Sequence, residues 1–254
     1  MQPKALILNL LRVHATVIDV RDLLRAGELF GIESGTIRVA LSRLSTQGLV
    51  EPVARGRWRM ARAAAPLAGE VDAWRTLEER VRPWHCDWVG VATGGLSDAR
   101  ATLRTRRRAL DLIGFRTFRP GLEIRPNNLR EPLRERLHAL GVEAPVLAIG
   151  ELGADQKAAE ALWDRDRLAA TYAAHRTALA TSTAKVPTLS PPEAARETWN
   201  TGGAAIRTLA LDPRLPRQMV DVEARRALAT EMRAFDLLGR RVWRHVLNLQ
   251  EVSG

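Results

Sequence analysis

Nine side chains between Thr36 and Arg59 have the types and spacing to bind a polyanion that also carries base edges: Thr36, Arg38, Val39, Ser42, Arg43 and Thr46, then Arg55, Arg57 and Arg59. Guanidinium groups reach phosphates or guanine edges, short hydroxyls let a backbone approach the groove, and an apolar Val39 can meet a thymine methyl. The chemistry is recognition of duplex DNA, not bond making. The first six must then share one side of a helix. Ile37, Ala40, Leu41 and Leu44 fall at the i, i+3, i+4, i+7 positions and predict that helix, with an apolar side on a core and a small, polar, cationic side outward. Ser34 is the expected N-cap and Gly48 the expected stop.

After Gly48, the apolar run Leu49 to Val53, the Arg55-Gly56 turn and the alternation of Arg57 and Arg59 with Trp58 and Met60 predict a hairpin. Trp58 and Met60 should face the core and the arginines solvent. Upstream, the Leu6, Ile7, Leu10, Leu11 face and the Val20, Leu23, Leu24 face predict the supporting helices of a helix-turn-helix. The bland alternative is a small helical domain whose arginines are merely solvated.

At 254 residues the chain exceeds a single reading domain several-fold, which predicts two or three domains. A net charge of +10 suits a polyanionic partner. Lys4, Lys157 and Lys185 are the only lysines, so the charge is arginine in an alanine-rich chain, and position says more than total. The single cysteine, Cys86, excludes an intrachain disulfide and a cysteine-based structural zinc site, and is expected as a small buried residue beginning a strand. No apolar run approaches membrane-span length and Arg12 and His14 interrupt the N-terminal one, so the cytoplasm is the expected compartment, with no signal peptide.

The segment 61–69 (ARAAAPLAG) is the expected joint between domains, followed by a short helix with Val71, Trp74, Leu77 and Val81 on its apolar side, ended by Pro83. The run Trp84 to Ala92 predicts a strand, Ser97 to Ile113 a helix, Phe115 to Phe118 and Leu122 to Ile124 two strands, Leu129 to Leu140 a helix and Ala144 to Ile149 a last strand. The order β-α-β-β-α-β suits a ferredoxin-like sandwich. Beyond Gly153 the chain reads as helical, with Ala158, Ala161, Leu162, Leu168 and Tyr172 in one long pattern, Pro191-Pro192 opening another and Leu228 to Leu247 a third. The fold class is therefore α+β: a winged helix-turn-helix over 1–62, a connecting segment over 63–82, a ferredoxin-like domain over 83–150 and a helical domain over 151–254.

Gly31-Ile32, the run Ile37 to Leu44, Gly48-Leu49-Val50 and Arg57-Trp58-Arg59-Met60 resemble the reading head of the PaaX family, the phenylacetic acid degradation repressors. The likeness extends weakly along the chain through the tryptophan opening the middle strand and through Asp212-Pro213 and Leu215-Pro216. It departs at Met219-Val220-Asp221-Val222, where the family commonly has a tryptophan-proline-glycine cluster. The resemblance implies a homodimeric transcription factor that binds a promoter and is released by an aryl-coenzyme A thioester. Two-fold pairing of the recognition helices then predicts an inverted-repeat operator, and no resident cofactor is expected.

Arg100, Arg104, Arg106, Arg107 and Arg108 crowd one predicted helix, and such a cluster suits the phosphates of DNA, those of a coenzyme A ligand, or simply a solvated face. Trp163, Trp199 and Trp243 either line an aromatic pocket or anchor the core. No motif with catalytic mechanics is present, and the histidines are scattered one to a segment. The end of the first middle strand reads Ala92-Thr93-Gly94, without the aspartate that a ferredoxin-like nuclease would place there for metal, so no enzyme is expected. A non-specific or architectural nucleic-acid binder would use the same arginines.

Overall fold

In the computed structural model, which describes residues 2–13, 17–64, 69, 72–97 and 99–247, the first helix is α1 (Pro3–Val13), its Leu6, Ile7, Leu10 and Leu11 all buried as their spacing predicts. Asp19 caps α2 (Val20–Glu28), its carboxylate accepting the Arg21 N–H at 2.9 Å. Helix α3 (Ser34–Thr46) buries Ile37, Leu41 and Leu44. A Cβ on Gly27 would stand 2.8 Å from Ile37 Cγ1, so glycine there lets α2 and α3 close on each other. The N-cap of α3 is Glu33, not Ser34: the Thr36 and Ile37 amides both donate to the Glu33 carbonyl, which places Ser34 inside the first turn. Gly48, at φ +66, ends the helix as expected.

The Arg55-Gly56 turn joins β2 (Val50–Ala54) to β3 (Arg57–Met60), and β1 (Ile18–Asp19) adds a third antiparallel strand, in the order β1-β3-β2. The sequence showed only the hairpin, because a two-residue strand carries no alternation to detect.

The next antiparallel sheet contains β4 (Trp88–Ala92), β5 (Arg116–Arg119), β6 (Leu122–Pro126) and β7 (Val146–Gly150), in the order β5-β6-β4-β7. Two helices, α4 (Arg100–Ile113) and α5 (Leu133–Ala139), connect them, and their Ala109, Leu110, Ile113 and Leu137 share one core with Val89 and Val91. Strand β4 begins four residues later than the aromatic run predicts. Cys86 there has φ +62 and is exposed, not buried, while Trp84 Nε1 turns back to donate to the Asp87 carbonyl at 2.5 Å. The helix expected around Trp74 is a 3-10 segment, Ala73–Arg80, kinked at Thr76; Trp74 and Leu77 are buried as expected, and Val71, like residues 65–68 of the predicted joint, lies outside the described residues.

The single pattern expected over 158–172 is two helices, α6 (Gln156–Glu160) and α7 (Arg165–Lys185), because Asp164 starts a new cap by accepting the Arg167 N–H at 2.9 Å. Helix α8 (Pro191–Ala210) opens at the proline pair, and α9 (Val222–Leu247) starts where Asp221 accepts the Ala224 N–H.

The chain divides into two compact units, one of Met1–Glu70, Ala178–Ala204 and Glu231–Gly254, the other of Val71–Thr177 and Ala205–Thr230. The second is held by buried polar contacts around the segment after α8. Asp212 accepts the Tyr172 hydroxyl at 2.5 Å and the Arg214 N–H at 2.7 Å, and lies 3.5 Å from Arg225, which also pairs with Glu78 at 2.8 Å. Arg125, fully buried, donates to the carbonyls of Ile113, Pro126 and Pro213 and to Asn128. Burial, then the charges of Arg214 and Arg136, hold the Arg125 pKa well below the ordinary arginine value. Burial pushes the Tyr172 phenol up, and the Asp212 charge adds to it; for Arg225, burial is outweighed by Asp212 and Glu78, which raise it. Gly114, at φ +87, permits the fit, since a Cβ there would lie 2.7 Å from Pro213 Cα.

Removing one partner of such a cluster leaves buried charge uncompensated. Asp212→Ala is expected to cost about 3–5 kcal/mol in urea unfolding. Tyr172→Phe, which removes one hydrogen bond to a carboxylate, is expected to cost about 1.5–3 kcal/mol. Equal and small losses in the two variants would show that the cluster does not hold the unit.

Candidate nucleic-acid interface

The apolar side of α3 is consumed by the core, so its other side must face solvent. Thr36, Arg38, Val39, Ser42, Arg43 and Thr46 are all exposed, with Val39 at 51% the most open large apolar residue of the helix. Arg55, Arg57 and Arg59 are exposed on the hairpin, while Trp58 and Met60 are partly buried against the core, the alternation that the sequence predicts. The structure therefore brings six of the nine candidates onto one helix face and sets three on the adjoining hairpin.

They are not equivalent. Arg59 Nε lies 2.6 Å from Glu51 Oε1, which offsets part of its charge, whereas Arg38, Arg43, Arg55 and Arg57 have no ion pair among the described residues. The Thr46 hydroxyl donates to the Ser42 carbonyl at 3.1 Å, leaving its oxygen free only as an acceptor. No acidic residue lies in the first turn of α3. Lys4, which sequence reasoning did not single out, donates to Gln47 Oε1 at 3.0 Å just past the end of α3; a contact across 43 residues leaves no periodic signal.

What lies behind α3 was also not legible. Its core includes Ala195 of α8 and Trp243 and Leu247 of α9 alongside Leu6, Ile37 and Leu41, with Trp199 packed against them. Phe30 stacks on Trp243 at 6.2 Å, and Trp199 meets Trp243 at 5.4 Å and Phe30 at 5.8 Å. Arg240 donates to the Val13 carbonyl at 2.9 Å and Arg196 to that of Leu29 at 3.2 Å, satisfying carbonyls at the ends of α1 and α2. Trp163 is elsewhere, stacked on Trp88 at 6.0 Å in the second unit, so the three candidate tryptophans belong to two separate aromatic clusters. Arg104, Arg107 and Arg108 are exposed on α4, while Arg106 is buried and donates to the Ser97 carbonyl at 3.2 Å. The Asp87 carboxylate accepts Asn127 Nδ2 at 2.6 Å. Among the described residues, no group of three or more His, Cys, Asp or Glu is placed to hold a metal ion, and no helix is long and apolar enough to cross a membrane.

If α1 to α3 share one cooperative core with α8 and α9, Trp243→Ala should cost about 3–5 kcal/mol. It should also lower hydrogen-exchange protection of the α1 to α3 amides together with those of α9. Unchanged protection in α1 to α3 would show the two parts to be independent.

Residues 2–62 match the family model described as PaaX-like protein. No curated protein matches the chain. Among solved structures, the uncharacterized protein Rv0674 from Mycobacterium tuberculosis is similar in fold, with a TM-score of 0.56 and 22% identity over 89% of this chain and 90% of that one. The segment that builds α1 to α3 and the hairpin is thus PaaX-like, a match that suggests a transcriptional regulator.

Proposed function

We propose that this protein is a DNA-binding transcriptional regulator of the cytoplasm, and not an enzyme, that reads duplex DNA with α3. The single observation behind this reading is the outward face of α3: six exposed side chains, small, polar or cationic, on a helix whose other side is locked into a core. In it, α1 to α3 with β2 and β3 form a winged helix-turn-helix, and Arg55 and Arg57 on the wing hold phosphates. The sheet order β5-β6-β4-β7, with both connecting helices in one core, supports a ferredoxin-like middle domain.

A homodimer would set two copies of α3 about 34 Å, one helical turn, or a multiple apart, and so read an inverted repeat. A small-molecule effector releases it by binding one spacing better than the other; the resemblance makes an aryl-coenzyme A thioester the first candidate.

Selection of bound sequences from random duplex, followed by competition binding, tests this. The selected site should bind at least about 10³-fold tighter than random duplex at physiological salt, and a ratio near one would instead indicate an architectural binder. In Arg38→Ala with Arg43→Ala, the slope of log affinity against log salt should fall by about 0.9 for each phosphate left without its guanidinium. Val39→Ala or Ser42→Ala should change sequence preference more than non-specific affinity. Wild-type binding by the folded double variant would remove α3 as the reader.

A further inference from the structure

The arginines of α4 remain without a role. Its inner side, Arg106, Ala109, Leu110 and Ile113, is buried. Its outer side carries Arg100, Leu103, Arg104, Arg107 and Arg108, all exposed and at i, i+3, i+4 spacing. From Arg100 to Leu110 the helix contains no acidic residue, and the one at its end, Asp111, pairs with Arg116 at 3.3 Å.

This arrangement works against the helix. Arg100 with Arg104, Arg104 with Arg107 and Arg104 with Arg108 are like-charge neighbours, each destabilising a helix. Arg100 also opens the first turn, where the helix dipole disfavours cations. Elsewhere in the same unit Arg80 and Arg136 face Glu131, Arg119 faces Asp155, and Arg225 and Arg226 face Glu78, while Arg82, Arg134, Arg165 and Arg167 are exposed without an ion pair among the described residues. Helix α4 differs in lining such arginines along one helix face with no acid between Arg100 and Leu110. The four exposed arginines of α4 have no ion pair among the described residues. An external anion is what relieves such a row.

The row also has the dimensions of a nucleic-acid backbone. Arg100, Arg104 and Arg108 span about 12 Å of helix axis at ~1.5 Å per residue. The charge of one strand repeats every ~3.4 Å along the duplex axis, so a row of this length can meet more than one phosphate. Beside the row, Ala101 and Thr105 are exposed and small enough to let a strand lie close. We propose that the outer face of α4 is a second DNA-binding surface, gripping backbone phosphates in the duplex that flanks the sequence read by α3. The proposal rests on the regulator reading, which supplies duplex DNA as the partner. It predicts a contact that adds affinity and salt dependence without sequence preference.

The test uses the full chain and two duplexes: the shortest that contains every base pair whose substitution changes affinity, and the same one lengthened by about ten random base pairs, one helical turn, at each end. Wild-type protein should bind the long duplex more tightly and with a steeper salt dependence. The variant Arg104→Gln, Arg107→Gln, Arg108→Gln should bind the short duplex as wild type does and lack the gain from the flanks. On the long duplex its salt slope should fall by about 0.9 per arginine that held a phosphate. Equal binding of the long duplex by variant and wild type would overturn the proposal, as would an equal weakening on both duplexes. Loss of response to an aryl-coenzyme A thioester, with the flank effect intact, would also overturn it and assign the row to effector phosphates. A wild-type protein that binds no duplex would overturn the regulator reading itself; normal short-duplex binding without a flank effect would overturn only this inference.

Discussion

The contact of Phe30 with Trp199 and Trp243 is the packing on which the outward face of α3 depends. Three short helices and a small sheet built from about sixty residues bury too little apolar area to be more than marginally stable alone. Two C-terminal helices complete that core, and their Arg196 and Arg240 close the carbonyl ends of α2 and α1. Because α3 is thereby pinned along its inner face, its outer side chains keep a fixed spacing. A helix that recognises base edges needs that rigidity more than it needs any one contact, since a displaced side chain loses its geometry with the base.

The arginines divide by environment and not by number. Some are structural: Arg125, Arg214 and Arg225 are almost wholly buried and held by backbone carbonyls, Asn128, Asp212 and Glu78. Others are paired at the surface, where the gain is small. A third set is exposed with no ion pair among the described residues, and the arginines of α3, the hairpin turn and the outer side of α4 belong to it. Total charge therefore overstates what is open to a polyanion, and the local balance of arginine and acid says where the opening lies.

Much of the local structure was legible. The spacing of Ile37, Leu41 and Leu44 marked α3, Gly48 marked its end, and the alternation over Arg57 to Met60 marked the inward Trp58 and Met60. The elements of the middle sheet followed from Gly114, Pro120-Gly121 and Gly141 at their boundaries, displaced by one to four residues. The misses share a cause. Strand β1 is too short for a pattern, Cys86 adopts a left-handed backbone that no residue-type preference announces, and Asp164 splits a continuous apolar pattern by capping a new helix. Each depends on a backbone detail below the resolution of periodicity.

Within the regular elements the sequence by itself determined which apolar residues face inward, because burying apolar side chains at helical or strand spacing leaves one solution for each element. It thereby determined the exposed face of α3 and the row on α4. Tertiary structure alone decided which elements share a core: that Trp199 and Trp243 pack against Phe30 while Trp163 packs against Trp88, and that residues of α9 contribute to both units. It also decided that Asp212, Tyr172 and Arg225 meet. Contacts between residues far apart in the chain are chosen by the packing of whole faces, and no local pattern of residue types encodes that choice.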